Sequence, residues 1–537
     1  MGDDADRIAV VGAGLAGSMM ALMLARRGFY VDLYEKRPDF RLAERRVDAD
    51  AAFGQAADSL KRSINLALSC RGQEALRAVG LLETVMAGIV PMPARGVHDL
   101  SGNIALQPYG KPGQFICSAS RSLLNRVLLD ACDSLPNVRC FFETSLKSLN
   151  GANRMELLSE RDGATRVTTP RLIIGSDGAY SSVRTAMLRY SRMDFSRSYI
   201  DHAYKELTIP PAAATGDWAM AQPHALHIWP RHAFMMIALP NPDRSFTCTL
   251  FVPYRVIDAL DADARARAGA GAKEGGGVSA ARAFFQTHFP DALPLIPEFE
   301  AQFLNNPTSA CLRACVPTPP VRARARRHAA LAQPTAHTPR AAHPSHSPRP
   351  RPPRSSHGAP GPLVMTKCGP WNHGSKQLVI GDAAHSVVPF YGQGANAAFE
   401  DCLAFCETLD AVHGDLDAAV GAFAESRKPA CDALAQLSLD NYVEMRHKTA
   451  SRGWLVRRRL DGLLAALFPR SWVPLYSMVA FTRIPYHEAL ARSRRQEALL
   501  DWGVGLSAVG AVGAAALLAA ALAPRLLAAS LGGAKGR

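Results

Sequence analysis

One segment near the amino terminus constrains the fold more than any other. Residues 7–11 (RIAVV) form a short apolar run of the kind that a buried parallel strand needs. A glycine-rich turn and an Ala-, Leu- and Met-rich stretch follow, and residues 30–34 then predict a second strand. This order of strand, glycine turn, helix and strand is typical of a parallel α/β unit.

The turn carries glycines at the spacing GxGxxG. Gly12 permits the tight turn, Gly14 lets the backbone approach a pyrophosphate, and Gly17 allows close packing of the helix. Glu35 ends the second strand, where a carboxylate accepts hydrogen bonds from a ribose. These residues predict a dinucleotide site and leave FAD and NAD open as alternatives.

Further segments predict a larger α/β chain around this unit. Apolar runs at residues 172–175 and 378–381 predict two more buried strands, and residues 227–238 and 245–252 alternate as antiparallel strands do. From residue 399 to about residue 500 the pattern is helical. We expect a Rossmann-like nucleotide-binding domain with an inserted antiparallel-sheet domain and a C-terminal helical region.

Two motifs distinguish between the cofactors. Residues 175–184 read GSDGAYSSVR, and residues 381–396 read GDAAHSVVPFYGQGAN. Both resemble the DG and GD motifs of class A FAD-dependent aromatic hydroxylases, a class of flavoprotein monooxygenases. The resemblance implies bound FAD, with the aspartate of the second motif at the flavin ribityl chain and backbone amides beside the isoalloxazine ring.

Within that class, the chain is most similar to the kynurenine 3-monooxygenase family. The similarity runs through segments such as RSINLALS (62–69), HIWPR (227–231) and PLYSMV (474–479) and covers nearly the whole chain. It implies four residues that hold the amino-acid end of the substrate L-kynurenine: Arg95, Tyr109, Asn441 and Tyr476. A guanidinium fork with phenol and amide donors suits a carboxylate.

The same resemblance implies the FAD-binding residues. They are Gly12, Gly14, Ala16, Gly17, Leu33, Tyr34, Glu35, Lys36, Ala67, Arg121, Leu146, Asp382, Ala395 and Asn396. Ala395 departs from the methionine of many relatives, a change that a backbone contact would survive. His385 could act as a base, but a histidine in this motif is more often a helix-entry or pocket-wall residue, and we expect no catalytic protein residue.

The implied reaction is the hydroxylation of L-kynurenine to 3-hydroxykynurenine, in tryptophan degradation and de novo NAD biosynthesis. In the family, NADPH reduces FAD, O2 forms a flavin C4a-hydroperoxide, and its distal oxygen attacks the ring ortho to the substrate amine. The aniline lone pair supplies the nucleophilicity, so the protein positions the reactants and excludes water. NADPH is expected in a surface groove, because FAD uses the one complete glycine motif in strand context.

The net charge of +14 is concentrated in one segment. Between Pro317 and Pro362 there are eight arginines, twelve prolines and no lysine or acidic residue, and removing these eight charges from +14 leaves +6. Such a composition cannot bury enough surface to fold, so we expect a disordered Arg/Pro-rich insertion, either a lineage-specific loop or a translated intron. The segment lacks interleaved aromatic residues, which disfavours a nucleic-acid partner.

Two other compositional features bear on location. Residues 504–523 carry no charged side chain over a length that spans a bilayer, and basic residues flank the run, so we expect a transmembrane anchor rather than a buried helical hairpin. The resemblance implies a cytosol-facing enzyme on the mitochondrial outer membrane. The 11 cysteines show no paired spacing, which predicts reduced thiols and no metal site.

These predictions divide the chain into consecutive parts. They are an FAD-binding part in three segments (1–90, 121–190 and 367–410), a substrate domain in two (91–120 and 191–316), the insertion (317–366), the helical region (411–500) and the anchor (504–523). Two alternatives stay open: a class A hydroxylase of another aromatic acid, and a non-enzymatic, membrane-tethered nucleic-acid-binding protein. The second leaves the three flavin motifs unexplained.

Overall fold

The computed structural model describes six stretches of the chain. They are residues 6–42, 65–269, 278–306, 308, 363–447 and 452–501, with the backbone alone for 269, 445–447 and 452–459. Most of the predicted insertion and the predicted anchor lie outside these residues. Within them, the strands form five sheets.

A six-stranded sheet forms the predicted nucleotide-binding unit. Its order is β19-β20-β12-β1-β2-β8, and every pair in it is parallel except β19 with β20. The strands are β1 (Ile8–Val11), β2 (Val31–Tyr34), β8 (Val138–Phe141), β12 (Leu172–Gly175), β19 (Asn372–His373) and β20 (Gln377–Val379). The central strands are buried on both faces, which is why their sequences are continuously apolar.

The predicted strands of this sheet are confirmed, with one difference in length. β20 ends at Val379, whereas the apolar pattern runs to Gly381. Gly381 has a φ of +56°, a left-handed conformation that turns the chain away from the sheet. This turn places Asp382 at the carboxyl end of the strand.

Helix α1 (Leu15–Ala25) packs against β1 and β2 of this sheet. It is buried along its whole length, which fits its Ala-, Leu- and Met-rich composition. The remaining helices of the described chain are α2 (Cys70–Ala78), α3 (Leu82–Met86), α4 (Arg121–Asp133), α5 (Ser182–Met187), α6 (Tyr254–Gly269), α7 (Ala280–His288), α8 (Phe299–Asn305), α9 (Asp382–His385), α10 (Gly394–Ala411), α11 (Leu416–His447), α12 (Arg452–Leu467) and α13 (Leu475–Phe481). Residues 486–501 form a further helix.

A second six-stranded sheet forms the inserted domain. Its order is β14-β17-β16-β15-β5-β6, antiparallel except for β5 beside β15. The strands are β5 (Ala94–His98), β6 (Ile104–Pro108), β14 (His202–Ile209), β15 (Ala225–Arg231), β16 (Phe234–Pro240) and β17 (Phe246–Pro253). The predicted antiparallel strands in residues 227–252 are confirmed, and β5 brings Arg95 into this sheet.

Three small sheets connect these units. They contain β3 (Asn65–Leu68), β4 (Val90–Met92) and β7 (Ile116–Ser120); β9 (Thr144–Leu149), β10 (Met155–Ser159) and β11 (Thr165–Thr168); and β13 (Asp194–Tyr199) with β18 (Val364–Gly369). Although we expected residues 91–120 to belong to the substrate domain, their last strand, β7, pairs with β3 and β4.

The carboxyl end of the expected insertion is ordered. Residues 364–366 lie in β18, where they pair with residues 197–199 of β13. Val364 and Thr366 are buried, and this alternating burial makes them part of the fold, not of the Arg/Pro-rich segment. Strand β18 therefore begins a few residues before the end of the expected insertion.

No helix in the described residues between 6 and 501 combines the length and the hydropathy that crossing a bilayer requires. The predicted anchor at 504–523 lies outside the described residues.

Candidate active site

Of the three glycines of the GxGxxG motif, only Gly14 has open space where a side chain would begin. A Cβ on Gly12, whose φ is +102°, would lie 2.7 Å from the Cα of Asp177, and a Cβ on Gly17 would lie 1.8 Å from the Gly12 carbonyl oxygen. By contrast, a Cβ on Gly14 would meet nothing within 4 Å, at the residue that caps the amino terminus of α1. Packing therefore requires two of the glycines, while Gly14 faces a space that an anionic pyrophosphate can fill.

Glu35 is held at the end of β2 as the sequence predicted. Its Oε2 accepts a hydrogen bond from the Ala13 backbone N–H at 3.0 Å, and its Oε1 accepts one from Arg37 Nε at 2.8 Å. Burial alone would raise the pKa of this carboxyl, but the hydrogen bonds and charge of Arg37 lower it. An ionised acceptor thus lies beside the glycine turn, with Lys36 exposed next to it.

Leu33 and Tyr34 contribute differently from Glu35. Both side chains are buried in the core, and the Tyr34 ring stacks on Phe141 with a centroid distance of 5.1 Å. The Tyr34 carbonyl oxygen accepts a hydrogen bond from Gly12 N–H at 2.7 Å. These two residues hold the strand end against the glycine turn.

The GD motif lies against the same turn. A Cβ on Gly381 would lie 3.1 Å from the Cβ of Ala16 in α1, and Asp382 is the next residue of the chain. Asp382 is exposed at the start of α9. An acceptor at a strand end, beside the glycine turn, is placed to bind sugar or ribityl hydroxyls.

The turn after the GD motif joins three more of the predicted cofactor residues. Asn396 donates from Nδ2 to the Ala67 and Gly392 carbonyl oxygens at 2.7 and 2.8 Å, and its Oδ1 accepts from Ser69 N–H at 2.8 Å. A Cβ on Gly392, whose φ is +65°, would lie 3.0 Å from the Ala67 Cβ. Ala395 is partly buried beside Asn396 at the start of α10.

Arg121 and Leu146 lie at the edges of this region. Arg121 follows β7, in which Ser118 pairs with Ala67, and it is exposed at the start of α4. Leu146 lies half-buried in β9, two residues after Thr144, whose N–H donates to the Glu35 carbonyl oxygen at 2.8 Å. The structure therefore distributes the predicted cofactor residues along one path from the end of β2 to the start of α10.

The predicted substrate residues come together around one guanidinium. Arg95 is buried, and its Cζ lies 4.3 Å from the Tyr476 ring centroid and 5.3 Å from that of Tyr109. The two tyrosine rings stack at 5.1 Å with an interplanar angle of 14°. Among the described residues, no carboxylate lies within 4.0 Å of the Arg95 guanidinium.

A buried cation without a carboxylate partner indicates an anionic ligand, because burying an unpaired charge costs free energy. The Tyr109 hydroxyl points the same way: it is buried beside Arg95 and Tyr476 and makes no hydrogen bond of standard geometry in the part of the chain that the structure describes. Burial raises the pKa of Tyr109 well above its ordinary value, so this hydroxyl keeps its proton. Together, the two groups can bind a carboxylate.

The predicted substrate residues contact residues 381–396, the GD motif and the turn after it, which we call the flavin turn. Asn441 donates from Nδ2 to the Phe390 carbonyl oxygen at 2.7 Å, and the Tyr391 ring stacks on Tyr476 at 5.8 Å. Ala67, one of the predicted cofactor residues, packs in the same apolar cluster as Tyr109 and Tyr476. The structure therefore brings the two predicted sets of residues together.

A cavity of about 360 Å³ opens beside Arg95, Asn441 and Tyr476. The lining also includes several carboxylates and one exposed cation: Asp440, Glu444, Asp461, Glu497 and Arg494. A lining that holds both a buried cation and carboxylates offers a partner for each charge of an α-amino acid.

Two groups that the sequence analysis left without a role also face the glycine turn. Asp177, in the DG motif, accepts from Ser182 N–H at 2.6 Å through Oδ2, while its buried Oδ1 has no partner among the described residues. Asn125 donates from Nδ2 to the Ala13 carbonyl oxygen at 3.2 Å, and its Oδ1 is likewise without a described partner. The DG motif pointed to Asp177, whereas no pattern marks Asn125.

These features fit FAD. The open space at Gly14, the ionised Glu35 and the unpartnered oxygen of Asp177 offer a phosphate cradle and hydroxyl acceptors beside one turn. His385 takes no part in this arrangement, because it is buried with Nε2 2.6 Å from the Asp401 carboxylate and its ring stacks on Trp371. Burial opposes a charge on His385, but Asp401 raises its pKa well above the usual value.

Comparison with known proteins gives the same result. The FAD binding domain family matches residues 6–204 and 336–438. Kynurenine 3-monooxygenase of Sus scrofa is 38% identical and aligns over 92% of this chain and 88% of its own length; that of Salinispora tropica is 37% identical, over 96% and 97%. The structure of PqsL from Pseudomonas aeruginosa is similar in fold, with a TM-score of 0.56 and 18% identity over 84% of this chain and 99% of that one.

The fold, the glycine turn and the domain match define a flavoprotein with the FAD-binding aromatic hydroxylase fold. Within that class, the chain belongs to the kynurenine 3-monooxygenase family. The predicted family, enzyme class and FAD cofactor are confirmed.

Proposed function

We propose that the protein hydroxylates L-kynurenine to 3-hydroxykynurenine, with FAD as cofactor and NADPH and O2 as co-substrates. One observation carries the substrate assignment: buried Arg95 packs against a stacked pair of tyrosine rings, has no described carboxylate partner and lines a cavity beside the flavin turn. The curated relatives that align over most of the chain are named kynurenine 3-monooxygenase.

The substrate carboxylate binds Arg95. Tyr109 donates its otherwise unpartnered hydroxyl. Tyr476 and Asn441 complete the set: the Tyr476 ring packs on Arg95, and Asn441 lies in α11 beside the flavin turn. The carboxylates that line the cavity attract the substrate ammonium. Charge-assisted hydrogen bonds of this kind fix both the position and the orientation of an amino acid.

FAD binds along the path described above. Gly12, Gly14 and Gly17 would hold the pyrophosphate, Glu35 the ribose and Asp382 the ribityl chain. The remaining contacts come from the other residues of the predicted set: Ala16, Leu33, Tyr34, Lys36, Ala67, Arg121, Leu146, Ala395 and Asn396. Once reduced by NADPH, bound FAD would activate O2 for oxygen transfer.

The protein's own residues position the substrate and exclude water. The apolar cluster of Tyr109, Tyr476, Ala67 and their neighbours closes the region between the carboxylate site and the flavin turn. The amine on the substrate ring supplies the electrons for attack, so the chain needs to supply no general base. Activity thus depends on the placement of Arg95 relative to the flavin turn.

We also propose the domain division given above, with the two six-stranded sheets as the FAD-binding and substrate-binding parts. A kynurenine analogue with its carboxylate amidated separates their roles. It should leave FAD bound and lose affinity for the Arg95 site, whereas loss of FAD would contradict the division.

Residues 504–523 anchor the enzyme in a membrane, which we place at the mitochondrial outer membrane with the catalytic part in the cytosol. The support is the uncharged run and its basic flanks. The full chain should stay in the membrane fraction after alkaline carbonate extraction, whereas a chain ending at residue 501 and a Val512→Arg/Leu518→Arg variant should be released. Retention of the truncated chain would contradict the anchor.

The purified protein tests the function. Its absorption spectrum should show bound flavin, and L-kynurenine should stimulate NADPH oxidation where hydroxybenzoates do not. Stimulation by a hydroxybenzoate and none by kynurenine would instead identify a hydroxylase of another aromatic acid.

A further inference from the structure

A buried network of four charged residues lies between the flavin turn and the substrate helix α13. Arg71 Nη1 contacts Glu400 Oε1 at 2.5 Å, Glu400 Oε2 contacts Arg427 Nη2 at 2.7 Å, and Arg427 Nε contacts Asp401 Oδ1 at 2.8 Å. The four side chains are between 0% and 7% exposed. We call Arg71, Glu400, Asp401 and Arg427 the ion network.

One end of the ion network holds the flavin turn. Asp401 Oδ2 accepts a hydrogen bond from Gly381 N–H at 2.9 Å and lies 2.6 Å from His385 Nε2. Gly381 caps the amino terminus of the short helix α9, which begins with Asp382 and ends with His385. The Asp401 carboxylate therefore fixes both ends of the segment that carries the predicted ribityl ligand.

The other end holds the substrate helix. Arg71 donates from Nε to the Val479 carbonyl oxygen at 2.9 Å and from Nη2 to the Ile484 carbonyl oxygen at 2.5 Å. Its guanidinium also lies 4.0 Å from the Tyr486 ring centroid. Helix α13, which carries Tyr476, ends between these two carbonyl groups, so Arg71 caps it.

The link between the ends is short and rigid. Glu400 and Asp401 are adjacent on α10, and Glu400 follows the predicted cofactor residue Asn396 by one helical turn. Glu400 binds both arginines, and Arg427 binds both carboxylates. A shift of α13 therefore moves Arg71 relative to Glu400, and the strain reaches the Gly381 turn through directional hydrogen bonds.

Burying four charged side chains costs desolvation free energy. Buried ion pairs often stabilise a fold no better than packed apolar residues, because desolvation offsets their attraction. Their geometric specificity is different, since a guanidinium and a carboxylate fix each other's orientation. This argues for a role in placement.

We propose that the ion network positions the flavin turn and the substrate helix relative to each other, so that its integrity sets both kynurenine affinity and the fraction of NADPH oxidation that yields product. Arg71 and Glu400 act mainly on Tyr476, and Asp401 acts mainly on the Gly381–Asp382 turn. All four are positioning residues. The part of the proposal that concerns Tyr476 and kynurenine affinity, the substrate half, rests on the proposed function. The part that concerns the Gly381–Asp382 turn, the flavin half, does not.

The substrate half is tested with Arg71→Lys and Glu400→Gln in the full-length FAD-loaded protein. Lysine keeps the charge beside Glu400 but cannot reach both carbonyl groups. We expect each variant to keep its FAD and to bind kynurenine about tenfold more weakly, measured by the change in flavin absorption. The ratio of hydrogen peroxide to product should also rise.

Asp410→Asn is the matched control. Asp410 lies on α10, as Glu400 does, and pairs with Arg27 at 2.6 Å, but this ion pair is exposed. Its kynurenine affinity and peroxide ratio should equal those of the wild type. If Arg71→Lys folds with wild-type thermal stability and wild-type kynurenine affinity, the substrate half is wrong. If Glu400→Gln fails to fold, the result for Arg71→Lys alone decides the substrate half.

The flavin half needs no substrate. Asp401→Asn should lose FAD about tenfold more readily than the wild type and Asp410→Asn, measured as flavin fluorescence released on dilution. Unchanged retention would overturn this half. If the wild type binds FAD but ignores kynurenine, the proposed function fails, and the retention measurement still decides the flavin half.

Discussion

Replacing Arg95 by methionine should disable substrate binding without damaging the fold. Methionine keeps an unbranched apolar side chain that can pack against the rings of Tyr109 and Tyr476. The guanidinium is buried, with its Cζ 4.3 Å from the Tyr476 ring centroid and no described carboxylate within 4.0 Å. Its charge is therefore compensated by the ligand carboxylate rather than by the described protein.

The magnitude follows from that geometry. Removing one partner of a buried, hydrogen-bonded charge pair costs about 2–4 kcal/mol of binding free energy. At about 1.4 kcal/mol per tenfold change, the kynurenine dissociation constant should rise about 30- to 700-fold. The free energy of unfolding of the substrate-free protein should not fall, because a desolvated charge without a carboxylate partner is removed.

The assay is a kynurenine titration of the FAD-loaded variant, followed by flavin absorption, with KM from NADPH oxidation. Arg494→Met is the matched control, since Arg494 lines the same cavity but is exposed. It should change the dissociation constant less than about threefold. An Arg95→Met variant with wild-type affinity, or an equal loss in the control, would refute the assignment of Arg95.

Three further predictions follow from the geometry. Gly14→Leu should fold but purify without FAD, while Gly421→Leu, also with open space at its Cβ, should keep the flavin; equal flavin content would refute the phosphate cradle. Tyr109→Phe should weaken kynurenine binding about tenfold at unchanged thermal stability, since its hydroxyl has no described partner. Burial and the neighbouring His98 lower the pKa of His227 to about 4, so the folded state binds its proton less readily than the unfolded state. The free energy of unfolding should therefore fall by up to about 3 kcal/mol as the pH falls from about 6.5 to 4. Urea unfolding should show a smaller loss in His227→Gln and a wild-type loss in His413→Asn.

The parts of the fold that depend on local sequence were predictable. The strand, glycine turn, helix and strand at residues 7–34 follow from an apolar run and fixed glycine spacing, and the structure confirms each element. The length of β20 was not, because the left-handed turn at Gly381 overrides an apolar pattern that continues into it. Local pattern cannot show where a buried strand leaves its sheet.

The site was predictable only in part. Arg95 and Tyr476 lie far apart in sequence, and only the resemblance to a family connected them. The unpartnered oxygen of Asn125 and the contacts of Arg71 depend on tertiary packing, which leaves no periodic signal in the sequence. Such residues become visible only once the helices are packed.

The most direct test of the account is the identity of the oxygenated product. The full-length FAD-loaded protein is incubated with L-kynurenine, NADPH and isotopically labelled O2, and the product is analysed by mass spectrometry and NMR. We expect 3-hydroxykynurenine with one labelled oxygen on the ring carbon next to the amine. NADPH oxidation that yields only hydrogen peroxide, or an oxygen atom at another position, would contradict the account.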